Sequence, residues 1–453
     1  MSGPLRLVPG EGGSLPVLPR PRSGTRGRPS WAEDPIDELA DRLVEPVAAA
    51  VHPYEVAALL ESDGMTGDRI SARYARPDLF TLAEDLYARV PRHYPEPPPT
   101  ADPWRPDHLR CALRGIVFAL PGLAYVLGAG LWAGPAAANG LIAAGLAAWA
   151  WNQALSHRAF LRLGTGGAST AGRALRLGAP VGALLASAVA LLIAGPGPAA
   201  VFAAGQSCYL GAATVLLVLG RERALLLALL PITAGAVATL WWQPPTAVVL
   251  VLLFATMTLT VLAAGHGIRA GLRSDPAPTA PAPGLWRSLP YGLFGLAAGV
   301  LAVLTGTEDP HAILLLTLSM GFAEWLLYRY RGLAVAALRA STEPRGFALR
   351  AARALGLCLA AYLALLAVGA LLAGTAPAAL LGLGAVLWTA LLLQAFGVAW
   401  PPAAVCLTAA AAEAAAAAAG LPTGPVQLLC RFLAAVALLA LACRFLGRPT
   451  AHR

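Results

Sequence analysis

Long apolar segments recur along most of this chain, and they constrain its fold more than any other feature. From residue 112 onward, about twelve segments are long and apolar enough, or nearly so, to cross roughly 30 Å of hydrocarbon. Of all residues, 57% are hydrophobic and only 13% are charged, whereas soluble proteins carry about 25% charged residues. The sequence therefore predicts an all-α polytopic membrane protein. The approximate limits of the segments are 112–133, 136–155, 179–195, 199–220, 224–242, 246–265, 289–306, 311–328, 352–373, 378–397, 401–419 and 425–443.

Arginine falls on alternate connections between these segments. The connections "GP", "GPGP", "QPP", "GTEDP", "GTAP" and "GLPTGP" contain none, whereas almost every other connection and the C-terminal tail contain several. Cytoplasmic loops of membrane proteins are enriched in Lys and Arg. We therefore expect a multi-pass membrane protein with both termini in the cytoplasm. The turn "WPP" at 400–402 is uncharged, so this pattern does not support the hairpin around it.

The connections also divide the membrane region in two. Basic stretches of about 23 and 22 residues follow the second and the eighth segments, and we expect both to lie along the lipid headgroups. A Pro-rich linker at 266–288 separates a first six-helix half, 111–265, from a second half, 289–446, which a cytoplasmic tail at 447–453 follows. Internal duplication of this kind is typical of transporters.

The first 110 residues are different, with 17 acidic residues against 13 arginines. Residues 1–30 are rich in Pro, Gly, Ser and Arg, which predicts a disordered tail. Residues 31–91 have apolar side chains three and four apart, as in Leu39, Leu43 and Val47. They predict a small helical cytoplasmic region, 31–100, whose Pro-rich end is a stiff spacer. This region could recruit a cytoplasmic protein partner.

Two opposite charges lie inside the last predicted hairpin. Glu413 precedes Pro422 by nine residues and Arg431 follows it by nine, so the two lie at equal depth in an antiparallel helix pair. They could form a structural ion pair. Alternatively, they could border a central cavity, where Arg431 contacts an anionic substrate. In a third interpretation the last helix begins at Phe432, and Arg431 lies among the outer headgroups.

Other polar residues within the segments are candidates for lining a cavity. Glu324 could pair with Arg329 one turn away, or with Arg331. Gln206, Asn152 and Gln394 could form hydrogen bonds between helices, which is the usual role of such residues in membranes, or face a cavity.

The sequence offers little for catalysis or for a cofactor. The six Cys and seven His residues have no metal-ligand spacing, and "GTGGASTAG" lacks the ending of a phosphate loop. The outer connections are too short for an active site. The inner connections hold arginine without clustered carboxylates or histidines, so an enzyme is not expected, although an inner-face site stays open. The chain contains no Lys, and its Ala, Gly, Pro and Arg richness is typical of GC-rich coding. Arginine therefore does not indicate nucleic-acid binding.

Two resemblances extend these expectations. The layout of residues 112–446, with an inner amphipathic segment after the second and eighth helices, resembles the multidrug/oligosaccharidyl-lipid/polysaccharide (MOP) flippase superfamily. The stretch "HPYEVAALLESDGMTGDRISARYARPDLFTLAEDLYARVP" is similar to the start of actinobacterial integral membrane proteins, which implies a bacterial source and a bacterial plasma membrane but no activity. The flippase resemblance implies alternating access, an anionic lipid-linked substrate attracted by Arg431, and a proton carried by Glu413 or Glu324. The alternative is a non-transporting scaffold or regulator.

Overall fold

The computed structural model describes residues 34–93, 107–132, 134–274 and 284–452, and within these ranges it is helical without a strand. The all-α prediction is confirmed for this part of the chain. The predicted disordered tail, most of the Pro-rich spacer and the centre of the 266–288 linker lie outside the described residues. Contacts divide the described chain into two compact units, residues 34–93 and residues 107–452.

The first unit is a small helical body with its own apolar core. Its helices are α1 (Pro35–Arg42), α2 (Val44–Ala49), α3 (Pro53–Ser62), α4 (Gly67–Tyr74) and α5 (Leu79–Arg89). Ile36, Leu60 and Leu82 are at most 1% exposed in this core. Asp34 caps α1 by accepting from the amide of Ile36 at 3.1 Å, and Asp78 caps α5 by accepting from the amide of Thr81 at 2.7 Å. Such caps satisfy amides that have no partner within the helix.

These caps make the first unit sensitive to acid. The amide of Ile36 and the guanidinium of Arg89 hold the pKa of Asp34 below its ordinary value, and Thr81 does the same to Asp78. A carboxylate whose pKa is depressed by folding contributes stability above the unfolded pKa of about 3.9, and this contribution is lost as pH falls through the folded pKa. We expect the thermal midpoint of a soluble fragment, residues 31–93, to fall below about pH 4.

Asp78→Asn keeps a capping oxygen but cannot titrate, so its midpoint should depend less steeply on acid. Glu61→Gln on the surface of α3 is the matched control and should keep the original dependence. Equal pH profiles for all three proteins, measured by circular dichroism, would contradict the role of the caps.

The second unit contains the apolar helices. In chain order they are α6 (His108–Ala119), α7 (Leu123–Gly128), α8 (Pro135–Ala194), α9 (Pro198–Val218), α10 (Glu222–Ala228), α11 (Leu230–Ala238), α12 (Thr246–Leu272), α13 (Leu289–Glu308), α14 (Pro310–Leu318), α15 (Met320–Arg339), α16 (Pro344–Ala373), α17 (Pro377–Ala395), α18 (Trp400–Ala418) and α19 (Thr423–Leu446). Within the described ranges, nine helices are long and apolar enough to cross a membrane, or ten if the bent pair α14–α15 is one span. The prediction of a multi-pass membrane protein agrees with this helix content.

Helix α8 folds back on itself at two glycines. Gly166 and Gly167 have non-helical backbone angles, with φ of −154° and +71°, and the second is in a region that favours glycine. The indole nitrogen of Trp151 donates to the carbonyl of Gly178 at 2.7 Å, so the two arms lie side by side and antiparallel. The expectation of a loop after the second segment is therefore wrong, whereas the position of this stretch at the lipid headgroups stays a prediction. Helical hydrogen bonding continues to both sides of the glycine turn.

The second basic connection is helical as well. Helix α15 continues to Arg339 and α16 begins at Pro344, which leaves a turn of only four residues, 340–343. The expected loop of about 22 residues is wrong for the same reason. Both basic stretches therefore continue helices beyond the apolar segments. The helix is interrupted only at the glycines 166–167 in the first stretch and before Pro344 in the second.

Helices α14 and α15 meet at a bend of 45°. At the bend, the hydroxyl of Ser319 donates to the carbonyl of Leu316 at 2.7 Å and lies 3.0 Å from the hydroxyl of Tyr362 on α16. Helices α6 and α7 are likewise separated by a short 3-10 turn that contains Pro121. Hydroxyl and proline insertions of this kind are the usual causes of kinks.

Candidate functional site: buried ion pairs of the membrane unit

Glu413 and Arg431 meet in the last hairpin. The Nε of Arg431 donates to Oε1 of Glu413 at 3.1 Å, and Nη2 donates to Oε2 at 2.8 Å. The third donor of the guanidinium, Nη1, reaches the carbonyl of Ala379 on α17 at 3.0 Å. Glu413 is 2% exposed and Arg431 is not exposed at all. Two parallel bonds make this a fork-to-fork pair, the strongest geometry for these groups.

The surroundings of this pair favour a structural role over a substrate contact. Helix α19 begins at Thr423, so the interpretation in which the last helix starts at Phe432 is wrong. A Cβ added at Gly382 on α17 would lie 3.2 Å from the Cβ of Arg431, so the helices are in close contact there. A substrate could reach the guanidinium only after α17, α18 and α19 moved apart. A role of Arg431 in substrate binding stays a prediction.

Glu324 does not pair with Arg329 as predicted. Its carboxylate accepts a hydrogen bond from Nη1 of Arg114 on α6. Five residues along a helix correspond to a rotation of about 140°, so Arg329 points away from Glu324. Arg331, the second predicted partner, lies with its guanidinium 5.4 Å from the ring centre of Phe396. The local pairing is therefore wrong, and the partner comes from the other end of the chain.

Arg114 is the centre of a larger cluster. Its Nε and Nη2 also contact Oε1 of Glu222, at the start of α10, at 3.0 and 2.9 Å. Arg110, one turn before Arg114, donates to the same oxygen from Nε at 3.1 Å and from Nη2 at 3.0 Å. The side chains of Arg114 and Glu222 are 8% and 7% exposed, whereas that of Arg110 is 44% exposed. Two arginines and two glutamates thus compensate each other across α6, α10 and α15.

Glycine brings α6 and α15 together next to this cluster. A Cβ added at Gly321 would lie 2.6 Å from the carbonyl oxygen of Cys111 and 3.1 Å from the Cα of Gly115, so the two backbones touch. One turn away, the indole nitrogen of Trp325 donates to Nδ1 of His108 at 3.0 Å. Any side chain at Gly115 or Gly321 would push the arginine away from Glu324.

A second close crossing joins the first arm of α8 to α13. Side chains at Gly292 and Gly295 of α13 would meet the carbonyl of Ala150 and the side chain of Gln153 at 3.0 and 2.8 Å. At the end of this crossing, the ring of His157 stacks on Tyr291 with centroids 3.7 Å apart. This crossing has no ion pair among the described residues, and small residues alone set its distance, as is common between membrane helices.

The remaining predicted residues do not converge. Gln206 donates to the carbonyl of Leu141 at 3.5 Å, and its Oε1 is buried without a partner. Asn152 is 9% exposed and Gln394 is 8% exposed. Each of these two has one buried amide atom without a hydrogen bond in the described structure. Of the three, Gln206 alone lines an apolar cavity whose walls come mainly from α9 and α12.

Sequence reasoning missed Arg110, Arg114 and Glu222, although a signal was present. Arg114 lies inside the first apolar segment, where a charge needs a partner. Glu222 is one of only seven acidic residues after position 110, and it stands between two arginines. Because arginines flank Glu222 on both sides, the sequence pattern favours a residue of a solvated loop.

The residues that the structure describes contain no group of three His, Cys, Asp or Glu that could hold a metal ion.

Comparison with known proteins returns no match, whether with family models, with curated proteins or with solved structures.

We expect Arg114→Met to destabilise the full-length protein strongly, because it leaves Glu222 and Glu324 buried with less compensation. Breaking a buried pair costs about 3–5 kcal/mol. Arg110→Met is the matched control, since Arg110 is half exposed and exposed pairs contribute less than about 1 kcal/mol. Thermal unfolding in detergent should separate the two variants by many degrees. Equal midpoints would contradict the central place of Arg114.

Proposed function

We propose that this protein is a membrane transporter of the flippase type, in which two six-helix halves rock against each other. The observation that carries the proposal is that helices of one proposed half pack directly against helices of the other. Helices α6 and α15 pack together, and the first arm of α8 packs on α13. The spans of each half are counted from its own first span. Each contact then joins the first span of one half to the second span of the other.

The proposal counts twelve spans. The two arms of α8, residues 135–165 and 168–194, are one span each, because they are about 46 and about 40 Å long at 1.5 Å per residue. The broken helices α6–α7, α10–α11 and α14–α15 are one span each, and α9, α12, α13 and α16–α19 supply the remaining seven. The six arginine-free connections from "GP" to "GLPTGP" then all fall on one side, whereas the uncharged connection at 396–402 falls on the other.

Packing inside the halves supports an internal repeat. In the first half, α9 contacts α8, α10 and α12, and α12 contacts α10 and α11. In the second half, α17 contacts α16, α18 and α19, and α18 contacts α19. Counted from α6 in the first half and from α13 in the second, the same spans are in contact: the fourth with the third, fifth and sixth, and the fifth with the sixth. Repeats with a pseudo-two-fold relation are the usual framework for alternating access.

The Arg114 cluster is the inner latch in this mechanism. Arg114 and Glu222 belong to the first half, whereas Glu324 belongs to the second. Opening the inner side therefore separates Glu324 from Arg114 and leaves Arg114 with Glu222. Glu324 is the better of the two proposed proton carriers, because Glu413 is tied to Arg431 by two bonds inside one half. Protonation of Glu324 would release the latch without leaving a naked carboxylate in the membrane.

The substrate class that we propose is a lipid-linked or anionic polysaccharide precursor. It is what the resemblance of the layout to the MOP flippase superfamily implies, and Arg431 could contact such a substrate only in a state in which it has left Glu413.

Spin-label distances test the rocking motion without a known substrate. Labels at Arg223 and Arg339 report the inner ends of the halves, and labels at Gln243 and Thr307 report the outer ends. In liposomes we expect each pair to show two distances, and Glu324→Gln should shift the inner pair toward the longer one. Glu343→Gln, on the four-residue turn 340–343 between α15 and α16, is the matched control. A single unchanged distance for both pairs would overturn the transporter.

The scaffold remains a second candidate because of the first unit. Val51, Tyr54 and Phe80 are 66%, 64% and 55% exposed, and the rings of Tyr54 and Phe80 lie 5.7 Å apart. Exposed aromatic residues on a small soluble body are typical of a protein-binding surface. Deleting residues 1–100 separates the candidates, since a transporter keeps its two distance populations and a scaffold loses its partner.

A further inference from the structure

An apolar cavity of about 710 Å³ opens on the side of the first half. Its walls come from the outer part of the first span, from α9 and from α12. They include Tyr125, Val201, Phe202, Gly205, Phe254 and Met257. Its volume is within the range of roughly 300–1,000 Å³ that ligand sites occupy.

The chemistry of the walls restricts what can fill this cavity. No charged side chain of the described chain lines it. Gln206 and Thr256 are lining residues, but their side-chain oxygens are buried out of reach. The surface offered to an occupant is therefore almost entirely apolar. An empty apolar cavity forfeits dispersion contacts along all its walls, and a charged or strongly polar occupant would be desolvated without compensation.

The dimensions match one leaflet of a bilayer. The lining residues of α9 run from Pro198 to Leu210, which corresponds to about 18 Å along the helix axis. Half of a hydrocarbon core is about 15 Å thick. The cavity continues into a shallow trough on α12 that shares Leu250 and Phe254 with it. Val201 and Phe254 at its mouth are 74% and 66% exposed, as expected of a surface that faces lipid.

We propose that this cavity holds one acyl chain of a phospholipid from the leaflet next to the arginine-free connections. The assignment of the leaflet rests on the proposed function, through its membrane orientation. For a lipid transporter, the cavity gives the hydrocarbon part of an amphiphile a lateral entry into the first half, while its headgroup stays at the surface. The chain would lie parallel to α9, between Phe202 and Phe254.

Photolabelling of the full-length protein in liposomes tests this site. The probe is phosphatidylcholine with a diazirine in the middle of one acyl chain, used in trace amounts in unlabelled phosphatidylcholine. We expect labelling of residues 121–131 and 198–210 to exceed, by several-fold, that of the exposed stretch around Leu371 and Leu372, which are 73% and 85% exposed.

Gly205→Phe is the variant that fills the cavity. A Cβ at Gly205 would meet only the sulfur of Met257, at an ordinary 3.8 Å, so a side chain can enter without a clash. Gly265→Phe on α12 is the matched control, because a Cβ there has nothing within 4 Å and Gly265 is not a lining residue. Labelling of 198–210 should fall several-fold in the first variant and stay unchanged in the second.

Three results would overturn the acyl-chain site. The first is labelling spread evenly over exposed helices, or unaffected by Gly205→Phe. The second is labelling of the cavity by an isoprenoid that carries a diazirine but not by the phosphatidylcholine probe. The third is a disulfide-linked dimer through Cys208, an exposed lining residue, which would show that a second copy covers the cavity. Localised labelling with a single spin-label distance would instead reject the transporter and leave the lipid site in place.

Discussion

The cost of an unpaired charge in hydrocarbon is the constraint on which this structure depends. Each buried arginine of the two ion clusters is neutralised by a carboxylate from another helix: Arg431 by Glu413, and Arg114 by Glu222 and Glu324. Such contacts are bought at a high desolvation cost and add little net stability over an apolar core. Their effect is to fix which helices meet, because any other arrangement leaves a charge alone.

The two clusters differ in what they hold together. The pair at Glu413 ties α17, α18 and α19 together, and each of the three guanidinium nitrogens of Arg431 donates one hydrogen bond. The cluster at Arg114 connects α6 and α10 to α15, at a crossing where Gly115 and Gly321 bring the backbones into contact. A cluster with two carboxylates around one buried arginine can lose one of them and keep the other. That property suits a contact that opens and closes.

Sequence reasoning reached the local features and missed the long-range ones. The equal spacing of Glu413 and Arg431 from Pro422 predicted their contact, since a short turn fixes the register of two neighbouring helices. The partner of Glu324 is 210 residues away, and no pattern along one chain specifies which helix lies opposite. The glycine turn at 166–167 lies in a stretch for which the sequence predicts a loop along the headgroups, because composition does not show that helical hydrogen bonds continue to both sides. Amphipathic spacing was sufficient for the first unit, whose core residues Leu39 and Leu82 lie on its helices as expected.

A double-mutant cycle on Arg114 and Glu324 is the most direct test of the contact between α6 and α15. The single variants Arg114→Met and Glu324→Leu and the combined variant are compared by thermal unfolding of the full-length protein in detergent. If the two charges compensate each other across the interface, the combined variant is more stable than the sum of the single losses predicts. Strictly additive losses would show that the charges are independent, and would contradict the latch.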